Sequence, residues 1–160
     1  MSKSLKRVTR ALHGAGLDVT PIEVGEARTA QMAADLVGCE LDQIAKSILF
    51  RGAHSATAIL FITAGGRQVD GARASTLAGE PLEKADAALI RAQTGFAIGG
   101  VAPVGHLSAP RAFFDPRLLE FDVIWAAAGT PRHVFSSHPA DIQRLSAAQV
   151  VDFTLGSQKM

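Results

Sequence analysis

Lys46 is the first residue whose type and surroundings could do chemistry. It interrupts an apolar stretch made of Ile44, Ala45, Ile48, Leu49 and Phe50. Lysine is seldom buried without a partner. It therefore sits either on a solvated strand face or in the wall of a pocket. In a pocket, a fixed ammonium suits holding a phosphate or polarising a carbonyl. The second such feature is the loop Gly99-Gly-Val-Ala-Pro-Val-Gly105, which follows Thr94-Gly-Phe-Ala-Ile. Its spacing is neither a Walker A loop nor a dinucleotide fingerprint. Glycine lets backbone approach a ligand closely, free N–H groups there can face a developing oxyanion, and Pro103 stiffens the turn. A simple tight connection is the alternative, but together with an isolated strand lysine the loop points to a site. His106 follows the loop directly and is expected near that site, with a structural hydrogen-bonding histidine as the competing reading.

Other chemistries find little support. The histidines at 13, 54, 106, 133 and 138 make no HxxxH or HExxH pattern, so neither a metal nor any cofactor is expected. Ser47, Ser136 and Ser137 lack a nucleophile elbow. Cys39 is the one cysteine and cannot form an internal disulfide. It reads as a packing residue in a reducing cytoplasm.

These residues need elements to hold them. Leu5, Val8, Leu12 and Ala15 recur at helical spacing from Ser4, with Gly14 and Gly16 as stops. Val19 to Val24, broken by Pro21, is at best an edge strand. Thr29 caps a helix over residues 30–37 that Gly38 ends. After a single turn at Leu41–Ile44, Ala45–Phe50 reads as a buried strand. The connection Gly52-Ala-His-Ser joins it in a hairpin to Ala56–Thr63, and that pair should form the sheet centre. Asp70 and Asp86 cap short helices running to Leu77 and Ala92. Arg111–Phe114, Val123–Ala127 and His133–Ser136 read as strands, and Pro139 opens a last helix. Helices interleaved with hairpin-joined strands predict an α+β domain on a mixed sheet, curled like a barrel, and not repeated βαβ units.

The chain of 160 residues and 16.7 kDa is expected to be one domain spanning 1–160. A hydrophobic fraction of 48% and a mean hydropathy of +0.19 exclude disorder. Sixteen Lys and Arg against fifteen Asp and Glu leave a net charge of +1, far from a chain that grips DNA or RNA mainly through phosphates. Any RNA contact must be local or aided by a partner. The basic start lacks the apolar run of a signal peptide. The longest stretch without Asp, Glu, Lys or Arg, Ala92–Pro110, contains four glycines and two prolines and does not read as a membrane span.

Taken in order, Leu41-Asp-Gln-Ile-Ala-Lys46-Ser-Ile-Leu, Gln68-Val-Asp70, Ala85-Asp86 and Thr94 to Gly105 resemble the YbaK/EbsC-type aminoacyl-tRNA deacylases. These are related to the editing domain of bacterial prolyl-tRNA synthetases. The likeness runs from about Thr29 to Ile142 and includes Asp115, Val123-Ile-Trp and Ala128-Gly129. It implies a YbaK-like fold and hydrolysis of the ester joining a wrong amino acid to tRNA. By that likeness Lys46 holds the 3′-terminal adenosine, and Gly99, Gly100 and Gly105 shape a backbone loop that Pro103 keeps rigid. A water attacks the ester with help from a substrate hydroxyl. Met32, Ile48 and Val101 are expected pocket walls or core. Ile22 and Val134 stand where some members carry a tyrosine and an acidic residue, so the cysteinyl-specific pattern is incomplete. The expected partners are tRNA, tRNA(Pro) foremost, and a prolyl-tRNA synthetase, with no membrane and no DNA. The alternative is a non-catalytic module that binds an aminoacyl or nucleotide end.

Overall fold

The computed structural model describes residues 2–155. Each helix begins on a side chain able to accept from its unpaired N–H groups. Ser2 Oγ accepts from the Leu5 N–H at the start of α1 (Lys3–Gly14), whose Leu5, Val8 and Leu12 are buried. Thr29 caps α2 (Ala30–Val37), which ends on Gly38 in the left-handed region at φ +74°. Asp70 caps α3 (Gly71–Ala78), Asp86 caps α4 (Ala87–Thr94), and His138 caps α5 (Pro139–Ser146). Leu41–Gln43 and Pro116–Glu120 are single 3-10 turns.

The expected hairpin is β2 (Ile44–Gly52) with β3 (Ala58–Ala64), antiparallel from Ala45↔Ala64 to Arg51↔Ala58. The second strand starts two residues later than expected because Ala56 is left-handed, at φ +59°, inside the turn. Around this hairpin lie β1 (Ile22–Glu23), β4 (Leu82–Lys84), β5 (Arg111–Phe114), β6 (Ile124–Ala127), β7 (His133–Ser137) and β8 (Gln149–Val150). They form one mixed sheet in the order β1-β7-β6-β2-β3-β5-β8, with β4 also on β2. The pairs β2·β6, β3·β5 and β5·β8 are parallel and the others antiparallel. The hydrogen-bonded path is open, with β1 and β8 at its two ends.

Side chains alternate across the pleat, so the two faces of the hairpin feed different clusters. Ala45, Leu49, Leu60 and Ile62 pack with α1, Phe96, Phe114 and Phe135. Ile48, Phe50, Ile59 and Phe61 pack with α3, Phe113 and Phe153. A third, smaller cluster joins Ala33 and Ala34 of α2 to Ile44 and Trp125.

Candidate active site

One stretch of β2 lacks a strand neighbour. Its edge away from β3 pairs with β6 only at Ile44–Ala45 and with β4 only at Phe50–Gly52. Lys46 to Leu49 lie between these ladders. The Ala64 N–H donates to Asp115 Oδ2, and the Ile62 carbonyl accepts from the Asp115 N–H. Both groups therefore point away from β2. Their register partners, Ala45 and Ser47, are non-hydrogen-bonded positions whose own amides face the opposite edge. Ser47 thus turns its backbone N–H and C=O toward the gap.

A pocket of about 330 Å³ fills this gap. Its walls come from α2 (Ala30, Ala33, Val37), β2 (Ile44 to Ile48), β6 (Trp125 to Ala127), the 130–134 turn and the Gly99–Val101 loop. Exposed Arg28, Thr29, Gly99 and Pro131 ring its mouth. Of the residues that the sequence singles out, Lys46, Ile48, Gly99 and Val101 line it. Met32 does not, because the helical face turned inward is that of Ala30, Ala33 and Val37. Gly100, Pro103, Gly105 and His106 also lie outside the lining and shape the loop from behind. A Cβ on Gly100 would stand 2.9 Å from the Thr130 backbone, so only glycine lets these two strips of pocket wall touch. Gly105, at φ +79°, lies against the Val8 backbone. The His106 Nε2–H donates to the Ala102 carbonyl at 2.6 Å, while Nδ1 is buried without a partner. Burial pushes this imidazole below its ordinary range; the Ala102 bond opposes the shift and Arg7 adds to it.

Lys46 is half-buried, and its Nζ donates to the Arg67 carbonyl at 2.5 Å. Burial pushes the ammonium down, against the pull of Asp42 and Asp115. Those carboxylates also build its support. Asp115, fully buried, accepts from the Ala64 and Arg117 N–H groups and from the Arg67 guanidinium at 3.1 Å. Asp42 accepts from the Gly66 N–H at 2.7 Å and Arg117 Nε at 2.9 Å. Burial would raise the Asp42 carboxyl, but these bonds outweigh it and hold it below the usual range. The turn that receives Lys46 is therefore clamped from two sides.

Sequence reasoning did not assign to the site six polar or aromatic lining residues, Arg28, Thr29, Ser47, Trp125, Thr130 and His133. Ser47 Oγ is buried with no hydrogen-bond partner. His133 Nδ1 lies 2.7 Å from Thr130 Oγ1, and both residues face the pocket. Trp125 reaches it because β6 runs parallel to β2 with Trp125 opposite Ile44. Alternation along 133–137 was the available signal for His133; Ser47 and Trp125 lie within the stretches that carry the family resemblance, Thr29 was marked only as a cap, and nothing local tied Arg28 or Thr130 to a site. Cys39 is half-buried, donates to the Glu40 carbonyl, and keeps its thiol proton through burial and the nearby Glu40 charge. Among the described residues no cluster of His, Cys, Asp and Glu could hold a metal, and no helix is long and apolar enough to cross a membrane.

A cation beside an unpaired strand edge, facing a glycine loop across a small apolar pocket, is a place for an ester with a phosphate-bearing end. Residues 24–145 match the aminoacyl-tRNA editing domain family, and the chain belongs to it. It is an aminoacyl-tRNA deacylase by that membership. The chain is 31% identical over 133 residues to YwhH of Bacillus subtilis (strain 168), an uncharacterized protein, covering 83% of each. A crystal structure described as a candidate trans-editing enzyme for prolyl-tRNA synthetase superposes with a TM-score of 0.90 at 41% identity, over 98% of this chain and 99% of that one. The hypothetical protein APE2540, at 22% identity and a TM-score of 0.84 over 93% and 99% of the two chains, shares the fold.

Proposed function

We propose that the protein edits in trans, removing a small wrong amino acid from tRNA(Pro) in the cytoplasm, beside a prolyl-tRNA synthetase. The observation that carries this reading is the pocket: alanines at 27, 30, 33, 126 and 127 leave room for a small side chain, while Lys46 supplies one cation at its wall. The 41% identical structure supports the prolyl assignment.

In this reading Lys46 exchanges the Arg67 carbonyl for the 3′-terminal nucleotide and fixes the ester against the loop. Water adds to the ester carbonyl, and the backbone N–H of Gly99, at the pocket wall, faces the developing oxyanion, while Gly100, whose N–H donates to the Ala97 carbonyl at 3.1 Å, shapes the loop behind it. Collapse breaks the bond between the acyl carbon and the ribose oxygen, which takes up a proton. The products are the free amino acid and a tRNA with its hydroxyl restored. A substrate hydroxyl orients the water, so no strong protein base is required. Ile48, Val101 and Val134 set the size limit. One methylene in an apolar pocket is worth only about 1–3 kcal/mol, so steric exclusion of the correct amino acid is the stronger filter.

The test is release of labelled amino acid from tRNA(Pro) charged with Pro, Ala, Ser, Cys or Thr, with and without the synthetase. One or more small residues should be released and proline retained, and Lys46→Ala should slow release about 100-fold. Absence of release from every charged tRNA would leave a binding module in place of an enzyme.

A further inference from the structure

The net charge of +1 conceals a sorted surface. Before Asp18 the chain carries Lys3, Lys6, Arg7 and Arg10 and no acidic residue. At 100° per residue, Lys3, Lys6 and Arg10 fall within about 60° of one another around α1. All three are exposed. Arg7, one step round, turns inward: its Nε donates to the Gly105 carbonyl at 2.9 Å and its Nη2 to the Thr94 carbonyl at 3.3 Å. It ties α1 to the end of α4, where Arg91 is exposed. Burial first, then the fields of Arg10 and Arg91, hold the Arg7 guanidinium below its usual range, so these cations share one neighbourhood. The ion pairs among the described residues use other cations, at positions 51, 67, 73, 117, 132 and 144. Lys3, Lys6, Arg10, Arg28 and Arg91 have no acidic partner there.

This face adjoins the pocket. Ser4 Oγ donates to the Gly95 carbonyl at 3.2 Å, and a Cβ on Gly129 would stand 2.9 Å from the Ser4 carbonyl oxygen. The next residue, Thr130, lines the pocket and touches Gly100. Exposed Arg28 lines the same pocket. The apolar residues of α1 (Leu5, Val8 and Leu12) are buried, so the helix presents charge with no apolar stripe for a lipid surface.

We propose that the basic face of Lys3, Lys6, Arg10 and Arg91, continued at the pocket mouth by Arg28, seats the phosphate backbone of an RNA duplex, the acceptor arm of the tRNA whose charged 3′ end enters the pocket. This inference rests on the deacylase reading above. Charge complementarity selects the occupant: a duplex offers closely spaced phosphates to unpaired cations, and the reacting end must lie beside it.

The test compares wild type with K3A/K6A/R10A/R91A, four exposed alanine changes outside the pocket whose folding is checked by circular dichroism and melting. Two substrates are used, a charged tRNA and a charged CCA trinucleotide, and binding of uncharged tRNA is followed by fluorescence anisotropy across a KCl series. The variant should raise KM for charged tRNA about ten-fold or more and make log K against log salt shallower by about 2–4, while cleaving the trinucleotide like wild type. An unchanged KM and salt slope would overturn the proposal. So would loss of binding to phosphatidylglycerol vesicles with tRNA binding intact, which would assign the face to a membrane. If wild type cleaves neither substrate, the deacylase reading fails instead, and the salt series on uncharged tRNA still judges the face.

Discussion

Ser47 Oγ is buried without a partner, while the Ser47 backbone amide faces the gap beside β2. A buried hydroxyl left unpaired costs about 1–3 kcal/mol, so retaining it opposes stability. Closed off from the pocket, the hydroxyl offers a substrate nothing, whereas the backbone groups beside it that face the gap can bond one. Ser47→Ala should therefore leave the melting temperature unchanged or higher and keep kcat/KM within about two-fold of wild type, because the backbone groups that face the gap are retained. Steady-state deacylation and thermal melting of the same preparation check both signs. A ten-fold loss of kcat/KM would mean instead that the hydroxyl turns into the pocket and bonds the substrate. Lys46 was legible in the sequence because a charge inside an apolar run breaks a pattern. Ser47 was not, because serine fits either side of a half-buried strand and its significance comes from the missing ladder beside it.

At the scale of elements, the turn after β3 does more than connect. Asp115 sits at the end of β5, which runs parallel to β3, and binds Arg67, whose carbonyl holds Lys46. The carboxylate is fully buried and collects two backbone N–H groups besides the guanidinium. Removing one partner of a buried charged network costs about 3–5 kcal/mol because the other is left uncompensated. Arg67 is partly exposed, so Asp115→Ala should cost nearer about 3 kcal/mol in denaturant unfolding. It should also raise KM by freeing the Lys46 anchor, whereas a purely structural loss would leave the KM of the folded fraction unchanged. Local signals reported most elements well: caps at Thr29, Asp70 and Asp86 each start a helix, and Pro139 opens the last one. They did not report β4 or β8, short edge strands of three and two residues, since such strands form only where the sheet already offers an edge. Nor did they report that β2 pairs with β6, a parallel contact some eighty residues apart in the chain and governed by packing over α2.

The whole molecule is unevenly anchored, and the pocket lies on its weaker side. The β2–β3 hairpin is central, and every residue of β3 is buried. By contrast α2, one wall of the pocket, buries only Ala33 and Ala34. Its contacts run through the smallest of the three clusters, with Ile44 and half-buried Trp125. Burial of apolar area sets local stability at about 25 cal/mol per Å², and two alanines contribute little of it. Opening of α2 should therefore be local and cost far less than global unfolding, whereas β3 should open only with the whole domain. Native-state hydrogen exchange tests this ordering directly. Amides of α2 should exchange through openings insensitive to low denaturant, and those of β3 should track global stability. A non-cleavable aminoacyl-adenosine analogue, with an amide replacing the ester, should slow exchange in α2 selectively and shift the fluorescence of Trp125, the one tryptophan, because both border the pocket. Uniform protection of α2 and β3 without ligand would mean that the pocket is preformed and rigid, and that selection among amino acids rests on its shape alone.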